Sequence, residues 1–77
     1  MDFIYTAHAE ENILKRRLNK SIVEKTIQNP ERIEVSRFGR KITQKTMDNK
    51  LLRVVYAEEH GIYIIITAYY TELHRYR

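Results

Sequence analysis

The chain contains no cysteine, and that one absence removes disulfides, thiol nucleophiles and thiolate metal sites together. It has a single proline and two glycines. Pro30 is needed to stop a helix and Gly39 and Gly61 are needed for turns, so no glycine-rich phosphate loop remains. Long apolar runs are missing as well. The longest is too short and too β-branched to span a bilayer, and the opening residues MDFIYTAHAEE lack the basic region and apolar run of a secretory leader. A cytoplasmic protein without membrane association is therefore expected. The three histidines, His8, His60 and His74, have no metal-ligand spacing, so no metal and no other cofactor is expected.

What the sequence does contain is enough apolar residue for one core. Its 77 residues, 43% hydrophobic and 31% charged, fit a single globular domain over residues 1–77, near the size at which one core is only just sufficient. The formal net charge is +4, from 14 basic and 10 acidic residues, which favours a polyanion such as RNA or an acidic protein partner.

Met1 to Tyr5 is an apolar lead-in, and Thr6 is placed to cap a helix running to about Arg17. Glu10 and Glu11 in its early turns and Lys15, Arg16 and Arg17 in its last suit the helix dipole. Arg17 interrupts the apolar rows formed by Ala9 with Ile13 and by Leu14 with Leu18, so either it snorkels or the helix ends just before it. Asn19 caps a second helix through Gln28, which Asn29-Pro30 stops. After Pro30 the period changes to two, with strands from Ile33, from Lys41 to Met47, and on both sides of Gly61. The expected fold is α+β, with two N-terminal helices packed on one face of a four-stranded antiparallel meander whose central hairpin is residues 51–70.

Parity assigns the sheet faces once loop lengths are chosen. A two-residue loop at Gly39-Arg40 and three-residue loops at 48–50 and 59–61 put Ile33, Val35, Ile42, Leu52, Val54, Tyr56, Ile64, Ile66 and Ala68 in the core. The opposite face then carries the line Glu34, Lys45, Arg53, Thr67, with Ser36, Thr43, Val55, Ile65 and Tyr69 nearby. Lys45 beside Arg53 requires a compensating anion, whether Glu34 or a bound phosphate, or a different register. On general grounds a solvated polar face is the more common explanation for such a row, but Val55 and Ile65 among its residues point to cover by the C-terminal tail, a second copy or a partner protein.

His8 stands apart from the other histidines. On a helix it shares a stripe with Asn12, Lys15 and Arg16, which combines a proton acceptor near neutral pH with cations. A first-turn histidine that merely caps or packs its helix is the commoner case. The segment HAEENILKRRLNKSIVEKTIQNPE, followed by RVVY and IIITAY, resembles a prokaryotic family known as domain of unknown function 4258. That family in turn looks like a relative of RelE-like and BrnT-like toxins of toxin-antitoxin pairs, small metal-independent ribonucleases. The markers fall on His8, Arg16, Asn29 with Pro30, residues 53–55 and Thr67. In two places the chain departs from the pattern, having Asn12 where relatives carry an arginine and Arg17 where they carry a glycine.

The resemblance implies a RelE-like toxin fold and RNA cleavage by 2′-hydroxyl attack. The catalytic candidates are His8, Arg16, Arg53 and Tyr69, with Asn12, Lys15, Lys45 and Thr67 contacting RNA or phosphate. The partners implied are RNA and an acidic antitoxin, and the open sheet face is also a candidate homodimer surface. A catalytically inactive RNA- or protein-binding domain on the same scaffold is the alternative. His8 joins Arg53 only if the first helix starts at the sheet edge; otherwise there are two candidate sites.

Overall fold

The computed structural model describes residues 1–73, so the basic tail from His74 lies outside the described residues. The elements are β1 (Asp2–Tyr5), α1 (Ala7–Lys15), α2 (Lys20–Gln28), β2 (Arg32–Val35), β3 (Lys41–Met47), β4 (Lys50–Glu59) and β5 (Ile62–Glu72). They form one five-stranded sheet in the order β1-β5-β4-β3-β2, covered on one face by the two helices. This corrects the expectation of a four-stranded antiparallel meander, because β1 is a strand paired parallel to β5, Asp2 opposite Ile62 through Tyr5 opposite Ile65. A four-residue segment is too short to show a period of two, and its partner lies some sixty residues away, so local pattern could not reveal it.

Both helix starts are as the sequence predicts. The Thr6 side chain accepts from the Ala9 N–H at 3.1 Å, and the Asn19 side chain from the Ser21 N–H at 2.8 Å. The end of α1 resolves the two options for Arg17. The Leu18 N–H donates to the Ile13 carbonyl at 2.9 Å and the Arg17 N–H to that of Leu14 at 3.3 Å, which is the Schellman pattern. Arg17 therefore takes the left-handed position, φ 56°, where a side chain is strained and glycine is not. Arg17→Gly is expected to raise stability by about 1 kcal/mol, measured by urea unfolding; an unchanged or lower midpoint would contradict the strain.

The core is a single cluster. Ala9 and Ile13 of α1, Val23 and Ile27 of α2, and Leu18 between them pack on Leu52, Val54, Tyr56, Ile65 and Ala68. Burying each large aliphatic side chain contributes about 1.5–3 kcal/mol. Phe3, Tyr5 and Tyr63 extend the cluster to the β1 edge, with Phe3 and Tyr63 ring centroids 5.6 Å apart. The Tyr5 hydroxyl donates to Glu24 of α2, and the Lys20 ammonium lies 4.5 Å from the Tyr5 ring centroid. Burial, then the hydrogen bond to Glu24 and its charge, hold this phenol well above the ordinary tyrosine range. These contacts tie β1 to α2 and so fix where α1 begins.

All three loops differ in length from the parity assignment; the first, 36–40 rather than Gly39-Arg40, keeps Ile33 and Val35 on the helix side but leaves them exposed at the sheet edge rather than in the core. Asp48-Asn49 is a two-residue turn, Met47 pairing with Lys50, so Lys45 stands opposite Leu52 and Gln44 opposite Arg53. Lys45 and Thr43 thus lie on the helix side, and Ile42 on the open side. His60-Gly61 is likewise a two-residue turn, with φ 51° and 78°. A bulge then restores the expected parity. Val55 pairs with Thr67 but Tyr56 with Ile65, leaving Ile66 as the extra residue. Ile65 is therefore the fully buried residue, rather than Ile64 and Ile66, while Ala68 sits in the core as predicted.

Candidate functional site

The helix-free face of the sheet is built around one buried cation. Arg53 is 4% exposed, although its side chain points away from both helices. Gln44 on β3 and Tyr69 on β5 flank it directly, and Glu34 on β2 reaches it diagonally. The guanidinium donates from Nε to the Tyr69 hydroxyl at 3.1 Å, from Nη1 to Gln44 Oε1 at 2.7 Å and from Nη2 to Glu34 Oε2 at 3.2 Å. Glu34 also holds Arg32 at 3.6 Å. Burial opposes the charge on Arg53, but the hydrogen bonds and fields of Tyr69 and Glu34 outweigh it, so the group is held more firmly charged than a free arginine.

A second cluster lies one strand step away on the same face. Thr67 and Tyr69 are alternate residues of β5, about 7 Å apart along the strand, with Thr67 opposite Val55 and Tyr69 opposite Arg53. The Asn12 amide nitrogen donates to Thr67 Oγ1 at 2.7 Å and lies 3.0 Å from His8 Nε2. This linkage exists because of where α1 starts. Strand β1 occupies the β5 edge only as far as Ile65; the chain then turns, with the Thr6 N–H donating to Ile65 O at 3.1 Å and the Thr6 hydroxyl to Ile66 O at 3.2 Å. The helix continues along the edge that β1 leaves open. Ala9 and Ile13 face the core, while His8 and Asn12 face the side that carries Thr67.

His8, Asn12 and Thr67 are thus joined by contacts, and Thr67 shares its sheet face with Tyr69 and Arg53, which form a separate set of contacts among the described residues. Arg16 is the C-cap of α1 and, with Lys15, is exposed one turn beyond Asn12, the two extending the His8 stripe toward solvent. Lys45 is separated from these residues by the sheet and does not join them. Gln44, which takes its place beside Arg53, escaped the sequence analysis. The signal for it was the Asp48-Asn49 pair, which suits a two-residue turn and shifts β3 by one. Among the described residues no group of three or more His, Asp or Glu is placed to hold a metal ion, and no helix is long and apolar enough to cross a membrane.

The sequence model of the family described as domain of unknown function (DUF4258) matches residues 5–70, which span every residue of this face named above. No curated protein matches the chain, and no solved structure matches it.

Proposed function

This chain belongs to the DUF4258 family, and we propose that it acts as a metal-independent endoribonuclease of the toxin type, related to RelE-like and BrnT-like toxins and restrained by an acidic antitoxin. The observation that carries this reading is the His8–Asn12–Thr67 chain, which links an imidazole to the sheet face that bears Tyr69 and Arg53. Cleavage without a metal needs a base, an acid and positive charge near the phosphate. His8 takes the proton of the 2′-hydroxyl at Nε2, where the hydroxyl replaces the Asn12 amide. The freed oxygen attacks the adjacent phosphorus, the bond from phosphorus to the 5′-oxygen breaks, and a 2′,3′-cyclic phosphate remains. Tyr69, whose oxygen accepts from Arg53 Nε, has its own O–H available for the leaving 5′-oxygen.

Arg16 and Lys15, at the open end of the stripe, are the phosphate contacts. Arg53 serves instead as a positioning residue, because its guanidinium is already engaged by Tyr69, Gln44 and Glu34. That engagement also favours a second reading, a non-catalytic RNA- or protein-binding domain on the same scaffold. Expression of the chain alone and together with its genomic neighbour separates them. The ribonuclease reading expects arrested growth and fragmented RNA ending in cyclic phosphate, relieved by the neighbour. Intact RNA and normal growth at high expression would sink it.

A further inference from the structure

Three of the large apolar side chains most exposed on the surface crowd one edge of the sheet. Ile33 is 50% exposed, Val35 78% and Phe38 93%, and all three belong to β2 or the turn that follows it. Among the described residues β2 is the outermost strand and pairs only with β3. The Ser36 N–H donates to the Arg40 carbonyl at 2.8 Å, a hydrogen-bonded pair in register with Arg32–Gln44 and Glu34–Ile42, and the Glu31 N–H donates to the Gln44 carbonyl at 3.0 Å. Hydrogen-bonded and non-bonded pairs alternate in an antiparallel ladder, so the N–H and C=O groups of Ile33 and Val35 point off the sheet. An edge of this kind is a template for another strand unless something blunts it. Here the outward backbone groups and the exposed apolar side chains belong to the same two residues.

The charge at this edge says what kind of strand fits. Residues 31–45 hold five cations and two carboxylates, which accounts for +3 of the chain's +4. Both carboxylates are committed, Glu34 to Arg53 and Arg32, and Glu31 to the Thr46 hydroxyl at 2.9 Å. Arg37 and Arg40 form no ion pair among the described residues. A second copy of the chain would set this positive edge against itself. We infer that the β2 edge takes an extended segment of an acidic partner protein, added as a sixth strand. Its apolar side chains would lie over Ile33 and Val35 on the helix side, and its alternate carboxylates would face Arg32 with Arg37 and Arg40 nearby. Phe38, at φ 63° in the turn that follows β2, adds an almost fully exposed ring to this edge. The inference is independent of RNA cleavage, and it leaves the His8 face uncovered.

The test uses the full chain with His8→Ala, so that its outcome does not depend on catalysis. The probe is a labelled peptide of about eight residues alternating valine with glutamate, compared with its lysine counterpart and with a uridine oligonucleotide. The acidic peptide is expected to bind at least about tenfold more tightly than the basic one, to shift the amide resonances of Ile33 and Val35, and to lose affinity when alternate peptide nitrogens are methylated. Arg37→Glu with Arg40→Glu, both exposed positions, is expected to reverse the charge preference. Failure of both peptides to bind at about 1 mM would overturn the inference. So would dimerisation through β2 in sedimentation, or an oligonucleotide that perturbs Phe38 while the acidic peptide does not.

Discussion

Replacing His8 with alanine is expected to lower RNA cleavage by about 10²–10⁴-fold, the usual contribution of a positioned acid or base, while leaving stability within about 0.5 kcal/mol. The second half of that expectation follows from the structure. His8 is exposed on the first turn of α1, and its only hydrogen bond among those described is with the Asn12 amide, itself on the surface side of the helix. Nothing in the core leans on it. The measurement is single-turnover cleavage of a labelled RNA together with urea unfolding of the same preparations. Asn12→Ala should fall between the two proteins in rate, because it keeps the imidazole but frees it from Thr67. Activity unchanged in His8→Ala would remove the imidazole from the mechanism. Equal losses of activity and stability would make it merely structural.

Arg53→Met should have the largest effect on stability, a loss of about 2–4 kcal/mol, equivalent to a fall in Tm on the order of 10–25 °C for a domain of this size. Removing one member of a buried ionic cluster commonly costs about 3–5 kcal/mol because the partners are left unpaired. The lower end of the range applies here, since the Glu34 side chain is 35% exposed and can be rehydrated. Gln44, at 7% exposure, cannot recover so easily. A double-mutant cycle with Glu34→Gln isolates the ionic part: most of the loss should persist in that background, because two of the three described bonds, to Gln44 and Tyr69, do not involve Glu34. A loss below about 0.5 kcal/mol would place Arg53 among ordinary surface charges, contrary to its burial. Since Tyr69 depends on Arg53 for orientation, cleavage should fall as well, under conditions where the variant remains folded.

These two residues also show how far the sequence could be followed. The helix caps at Thr6 and Asn19, the stop at Asn29-Pro30 and the core positions Leu52, Val54, Tyr56 and Ala68 are all local or period-two features, and they stand where they were expected. Lys45 was misplaced, by contrast, through a single residue. Taking the Asp48 turn as three residues long moved β3 by one and exchanged Lys45 for Gln44 beside Arg53. The β5 bulge was equally hidden, because an extra residue in one strand has no signature in a run such as IIIT, where every candidate is apolar or β-branched.

The make-up of the candidate site could be read from the residues: an imidazole, an amide, two hydroxyls and an arginine on elements whose type and order could be named. The sequence also determined that no cysteine chemistry takes part. Whether those groups share a sheet face depends on strand pairing between distant parts of the chain. The deciding feature is β1, whose parallel pairing with β5 ends at Ile65 and leaves the rest of that edge to α1. A contact between residues 5 and 65 is made by strand pairing across the whole chain and leaves no periodic trace in either segment. That contact brings His8 and Asn12 to Thr67, on the face where Arg53 and Tyr69 already stand.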